Sequence, residues 1–185
     1  MKEVLKRWKK EQGNMTILFA ASLFLILFFV GIGVDLSLYY MRRNDLENLC
    51  RLLREDRFTY QDTIRYANNP GAAMFKIASD TMKSNQFSGE IKVFFKEEPF
   101  PAAANERKYK TRVQISEKFN FYFLQIFSLK TAPVVAYVDG VEQYGESGLD
   151  VIWHPDVSVD AYNGSYTGTV GSAYTFSAKD YPSGW

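Results

Sequence analysis

The chain has 185 residues, of which 46% are hydrophobic and 23% charged, so it can form one modest folded domain with additional segments. Its formal net charge of +1 gives no global indication of a nucleic-acid partner, and we expect none. Cys50 is the only cysteine, which excludes an internal disulfide, and its sequence context predicts a small apolar residue on a helix face.

Charge is distributed unevenly along the chain. Residues 1–13 hold five Lys or Arg and two Asp or Glu, whereas the remaining residues hold 17 Lys or Arg and 19 Asp or Glu. A basic tip therefore precedes a faintly acidic body. This asymmetry indicates membrane topology rather than a polyanion-binding surface. It predicts a cytoplasmic N-terminal leader.

An apolar run follows the basic tip. Residues 15–34 contain no charged side chain, and as a helix they extend about 30 Å, the thickness of a bilayer's hydrocarbon core. We predict a transmembrane helix over residues 14–35, with Asp35 at the membrane exit and membrane lipid as its surroundings. Because basic residues are more numerous before the run than after it, the short basic end should stay in the cytoplasm and residues 36–185 should lie on the other side of the membrane.

Two other interpretations of the run stay open. A cleaved signal peptide usually has an apolar region of only about 7–15 residues, and a core helix of a soluble protein rarely has apolar residues on every face.

An apolar stripe then continues the helical period, so one helix is predicted from about residue 15 to about residue 57. The alternative is two helices with a kink near residues 31–33. The stripe consists of Leu46, Leu49, Cys50 and Leu53.

The remaining elements predict an α+β fold with a small antiparallel sheet. Residues 36–144 should form the α+β domain, and residues 145–185 a Gly-, Ser- and Tyr-rich hairpin or tail with Asn163-Gly164 at its turn, between 157–159 and 166–170. The other predicted elements are a second helix over 72–86 and strands over 91–95, 109–115 and 134–138.

An aromatic connection separates the second and third predicted strands. Residues 118–127 read KFNFYFLQIF. Such a segment either covers the core of the domain or forms an exposed apolar patch that rests on a membrane or on a partner subunit.

The sequence offers little for catalysis. His154 is the only histidine, so a Ser-His-Asp arrangement or a His-rich metal site would depend on it, and its Trp-His-Pro context favours a turn at the surface. We find no phosphate-binding glycine loop. We therefore expect no enzymatic activity, no cofactor and no metal, although a signal-anchored hydrolase using His154 remains an alternative.

Three stretches resemble a known family. They are GNMTILF at 13–19, GIGVDL at 31–36 and RNDLEN at 43–48, and together they are similar to the TadE/TadF/TadG minor pilins of the Tad (Flp) pilus system. The stretch LCRLLREDRFTY at 49–60 resembles the TadF branch most closely. The resemblance implies a minor pilin or pseudopilin that takes part in pilus biogenesis, surface adhesion and biofilm formation. It also implies a bacterial inner membrane, with residues 36–185 on the periplasmic side.

The same resemblance implies particular sites and partners. A prepilin peptidase would cut between Gly13 and Asn14, and other Tad pilins and inner-membrane assembly proteins would be partners. The fifth mature residue is typically a glutamate that marks an assembly contact; here that position is Leu18. An uncleaved, permanently anchored protein therefore stays open, as does a membrane-anchored periplasmic binding module unrelated to pili.

Overall fold

The computed structural model describes residues 2–100, 106–145 and 152–185, and residues 2–14 as backbone only. The chain divides into two compact units. The helical unit comprises Met1–Met41 and Phe119–Ala132, and the sheet unit comprises Arg42–Lys118 and Pro133–Trp185. The elements in chain order are α1 (Lys2–Thr59), α2 (Gln61–Arg65), α3 (Pro70–Ser84), β1 (Glu90–Glu97), β2 (Arg107–Asn120), a 3-10 helix (Leu124–Phe127), β3 (Thr131–Tyr144), a 3-10 helix (Val159–Ala161), β4 (Gly164–Thr169) and β5 (Thr175–Ala178).

The first helix forms as a single element, as predicted, although it begins well before residue 15. No proline occurs within it, and Gly31 and Gly33 do not interrupt it. Within the described residues it is the one helix that is long and apolar enough to cross a membrane. Most side chains from Met15 to Val34 are exposed, which suits a helix surrounded by lipid.

The sheet unit is built on a five-stranded sheet in the order β3-β2-β1-β4-β5. The pairs β1–β2, β1–β4 and β4–β5 are antiparallel. The predicted strands are confirmed in place but are longer, because pairing of β1 with β2 continues from Glu90↔Ser116 to Glu97↔Tyr109.

Helix α3 packs against β1 and β4. It begins at Pro70, two residues before the predicted start, because the Asn69 side chain accepts a hydrogen bond from the Ala72 N–H at 2.9 Å and proline suits the first helical turn. The core beside it is formed by alternate residues of β1 and by apolar residues of the helices. Its fully buried members include Leu46, Ile64, Met82, Ile91, Val93 and Phe95.

The C-terminal hairpin exists, but the predicted turn at Asn163-Gly164 is wrong. Residues 157–159 are not a strand, because the Ser158 hydroxyl accepts the Asp160 N–H and starts a 3-10 turn. The Asn163 side chain instead bonds both the N–H and the C=O of Glu97, each at 2.8 Å. The hairpin is formed by β4 and β5, with Gly171 at a φ of 77° between them.

A buried ion pair lies at one end of β1 and β2. The Arg107 guanidinium donates to both oxygens of the Glu97 carboxylate, at 2.6 and 3.1 Å, and both side chains are 0% exposed. The Tyr162 hydroxyl donates to Glu97 at 2.9 Å, and the Arg65 carbonyl accepts from Arg107. Such a network is tolerated in a core because nearly every donor and acceptor in it has a partner.

Candidate functional site at the membrane exit

The helical unit brings the end of the apolar run against the aromatic connection between β2 and β3. We call residues 119–130 the aromatic segment. The chain leaves β2 at Asn120, forms the 3-10 turn Leu124–Phe127 and reverses at Ser128, whose φ is 67°. It then joins β3 at Thr131.

Asp35 attaches this segment to α1. One oxygen of its carboxylate accepts the Tyr122 N–H at 2.9 Å, and the other accepts the N–H groups of Phe123 and Leu124 at 2.9 and 2.7 Å. The residue is 0% exposed. A buried carboxylate requires strong hydrogen bonds, and three backbone donors provide them.

Apolar contacts extend the attachment into the apolar run. The Phe127 and Phe28 rings pack edge to face with their centroids 4.9 Å apart. A Cβ added at Gly31 would lie 2.9 Å from the Phe123 ring, so glycine permits the close approach there. A Cβ added at Gly33 would have no neighbouring atom within 4 Å outside its own helix backbone, among the residues described. Gly31 thus serves a contact within this chain, whereas Gly33 lies on an open face.

Beyond Asp35 the contacts are aromatic as well. The Tyr39 ring meets Phe119 edge to face, with centroids 5.8 Å apart, and lies nearly parallel to Phe121 at 6.4 Å. A groove of about 370 Å³ lies on the other side of Asp35. Its walls include Phe24, Phe28, Gly31, Phe123, Ile126 and Phe127. Because its walls are mainly apolar side chains, the groove suits apolar groups.

The structure places the sequence-predicted site residues as follows. Gly13 and Asn14 belong to α1, in the part described as backbone only, so the proposed cleavage site has no side-chain description. Leu18 is exposed on α1 among other exposed apolar side chains. Asp35 lies at the end of the apolar run, and its attachment to residues 122–124 was not predicted.

The remaining candidates lie in the sheet unit. Cys50 is buried on the apolar stripe of α1, as its sequence context predicted. His154 is half-buried with its ring 3.9 Å from that of Phe100, and its two ring nitrogens have no hydrogen-bond partner within the described ranges. In those ranges no group of three or more His, Cys, Asp or Glu side chains is arranged to hold a metal ion.

Fold and site together define an α+β protein with one described helix that can span a membrane. Residues 13–50 match the family model described as putative Flp pilus-assembly TadE/G-like. The match covers about a fifth of the chain and includes Leu18, Gly31 and Asp35. It supports a function associated with the Tad (Flp) pilus and does not select the TadF branch. No curated protein and no solved structure matches the chain.

Proposed function

We propose that this protein is a minor pilin or pseudopilin with a structural, non-enzymatic role in assembling a Tad (Flp) pilus. The observation that supports this most directly is the TadE/G-like match over residues 13–50, which lies within α1 and includes its whole apolar run. In the proposal α1 anchors the protein in the inner membrane of a bacterium. The basic leader is cytoplasmic, and the sheet unit is periplasmic.

The exposed side of α1 would be the surface that other pilus components contact. Helices in lipid associate through close packing, which small residues allow. Gly33 is exposed, and among the described residues no atom beyond its own helix backbone lies within 4 Å of the position that a Cβ would take, so another helix can approach there. Leu18, also exposed, would supply an apolar contact in place of the glutamate that the resemblance leads one to expect.

Mass spectrometry of the mature N-terminus tests the processing step. We expect a terminus at Asn14 in cells that contain a prepilin peptidase and at Met1 in otherwise identical cells that lack it. Met1 in both strains would contradict processing and support a permanent anchor. A terminus near Val34 in either strain would remove the apolar helix and would contradict the assembly role itself.

Site-specific photo-crosslinking tests the assembly role separately. A photoreactive residue at Gly33 or Leu18 should capture Tad pilins or inner-membrane assembly proteins in cells that make pili. The matched control places the same photoreactive residue in the position of Val141, which is exposed on β3 in the sheet unit. Equal capture at all three positions, or none from α1, would contradict the proposed helix surface.

A further inference from the structure

We propose that the aromatic segment is a second membrane-embedded element, which dips into the bilayer leaflet on the Asp35 side and is surrounded there by lipid acyl chains. The inference depends on α1 spanning the membrane and is independent of any role in a pilus. Three features of the helical unit support it. They are the position of the aromatic segment along α1, the apolar side chains that the segment exposes, and the hydrogen bonds of its backbone.

Depth follows from the contacts with α1. Phe127 packs on Phe28, which precedes Asp35 by seven residues, or about 10 Å along a helix. Phe123 packs at Gly31, four residues before Asp35, or about 6 Å. The 3-10 turn therefore lies beside the apolar run. When α1 is in the membrane, this turn is at the depth of the hydrocarbon.

The side chains that the segment presents outward suit lipid. Ile126 is 74% exposed, and Tyr122, Phe123, Phe127 and Leu129 are exposed too. In water such a patch would be costly, whereas in a leaflet it continues the apolar surface of α1. Tyrosine is favoured at the membrane–water interface, and the exposed Lys130 at the end of the segment has a stem long enough to reach the headgroups.

Hydrogen bonding of the backbone distinguishes a segment embedded in lipid from an ordinary surface loop in water. Irregular backbone enters hydrocarbon only where its polar groups have partners. Asp35 accepts three N–H groups, and the N–H groups of Phe121, Ile126, Ser128 and Leu129 donate to carbonyls within the segment. The Gln125 side chain donates to the Tyr122 carbonyl at 2.7 Å. A loop that faced water would not need this degree of internal pairing.

The groove between the segment and α1 fits the same occupant. It is lined mainly by aromatic and aliphatic side chains of both elements and lies on the apolar side of Asp35. An acyl chain of the surrounding leaflet is the apolar group available at that depth. We therefore assign the groove to lipid rather than to a soluble ligand.

Spin-label accessibility tests the inference in the full-length chain, reconstituted in vesicles of phosphatidylethanolamine and phosphatidylglycerol. In a Cys50→Ala background, a nitroxide is attached at Ile126→Cys, with Leu129→Cys as a second site. Controls are Leu25→Cys in the apolar run and Val141→Cys on β3, both of them exposed. These positions are on the surface, so the label displaces little packing, and circular dichroism verifies that each variant is folded.

We expect labels at 126 and 129 to collide with oxygen and to be shielded from a water-soluble nickel complex, as the label at 25 is. The ratio of the collision rate with oxygen to the collision rate with the nickel complex should be several times the ratio for the label at 141. A ratio equal to that at 141 would show that the segment lies in water and would overturn the inference. Shielding from both reagents would show protein packed on the segment and would overturn it too. Neither result depends on the N-terminus found by mass spectrometry.

Discussion

Asp35 illustrates how one side chain can have a role that its sequence position reveals only in part. Its charge at the end of an apolar run predicts a membrane boundary. Its three hydrogen bonds to residues 122–124 could not be predicted, because periodicity describes local structure and carries no information on contacts between residues 87 or more positions apart. The Glu97–Arg107 ion pair escaped prediction for a different reason, because both residues lie outside the predicted strands and look like ordinary charged loop positions.

Replacing Asp35 with Asn should release the aromatic segment. The amide keeps one acceptor oxygen and turns an NH2 group toward backbone donors, so we expect a loss of roughly 1.5–3 kcal/mol in the attachment. Hydrogen–deuterium exchange should then be at least about tenfold faster at the amides of Tyr122, Phe123 and Leu124. Asp45→Asn is the matched control, since Asp45 is exposed on α1. Unchanged exchange in D35N would contradict the role of the carboxylate.

At the level of elements, patterns with a strong period were predicted well. The apolar stripe of α1 and the alternation in β1 and β2 follow from local chemistry, and these elements formed where they were expected, although α1 and α3 begin earlier than predicted and the strands are longer. The C-terminal hairpin was misplaced because Asn-Gly is a strong turn signal, whereas Asn163 is held by Glu97 in β1. A tertiary hydrogen bond thus outweighed the local preference.

The two glycines of the Gly31-Ile32-Gly33 stretch should respond differently to alanine. A Cβ at Gly31 would press on Phe123, so G31A should displace the aromatic segment at a cost of about 1–3 kcal/mol. A spin label at Leu129→Cys should then become more mobile. G33A is the matched control, because it gains the same helix propensity and its Cβ would lie more than 4 Å from every atom of the described part of the chain outside its own helix backbone. Equal mobility in the two variants would show that the close approach at Gly31 has no energetic weight.

For the whole molecule, buried tyrosines should set the alkaline limit of stability. Burial raises the pKa of the Tyr109, Tyr162 and Tyr166 phenols above the ordinary value near 10, and the Glu97 carboxylate raises that of Tyr162 further. The folded state therefore favours the neutral phenols. Their contribution is complete below about pH 10 and decreases above it, as tyrosines of the unfolded chain ionise.

The decrease should reach about 1.4 kcal/mol per pH unit for each of the three tyrosines. It can be measured as the free energy of unfolding of the full chain in detergent micelles between pH 8 and about pH 12. Tyr109→Phe removes one ionisable group, so its stability should decline less steeply at high pH even if it is lower at neutral pH. The same slope in both proteins would contradict this assignment.

The attachment of Asp35 also constrains the order of events during synthesis. Its nearest partner in sequence follows 87 residues later, which the ribosome needs roughly 4–17 s to add. During that interval the three backbone N–H groups that bind the Asp35 carboxylate in the folded protein have not been made. Closure of the aromatic segment onto α1 is therefore a late event in synthesis, and an α1 that inserts cotranslationally, as the proposed anchor would, enters the bilayer before that closure can occur.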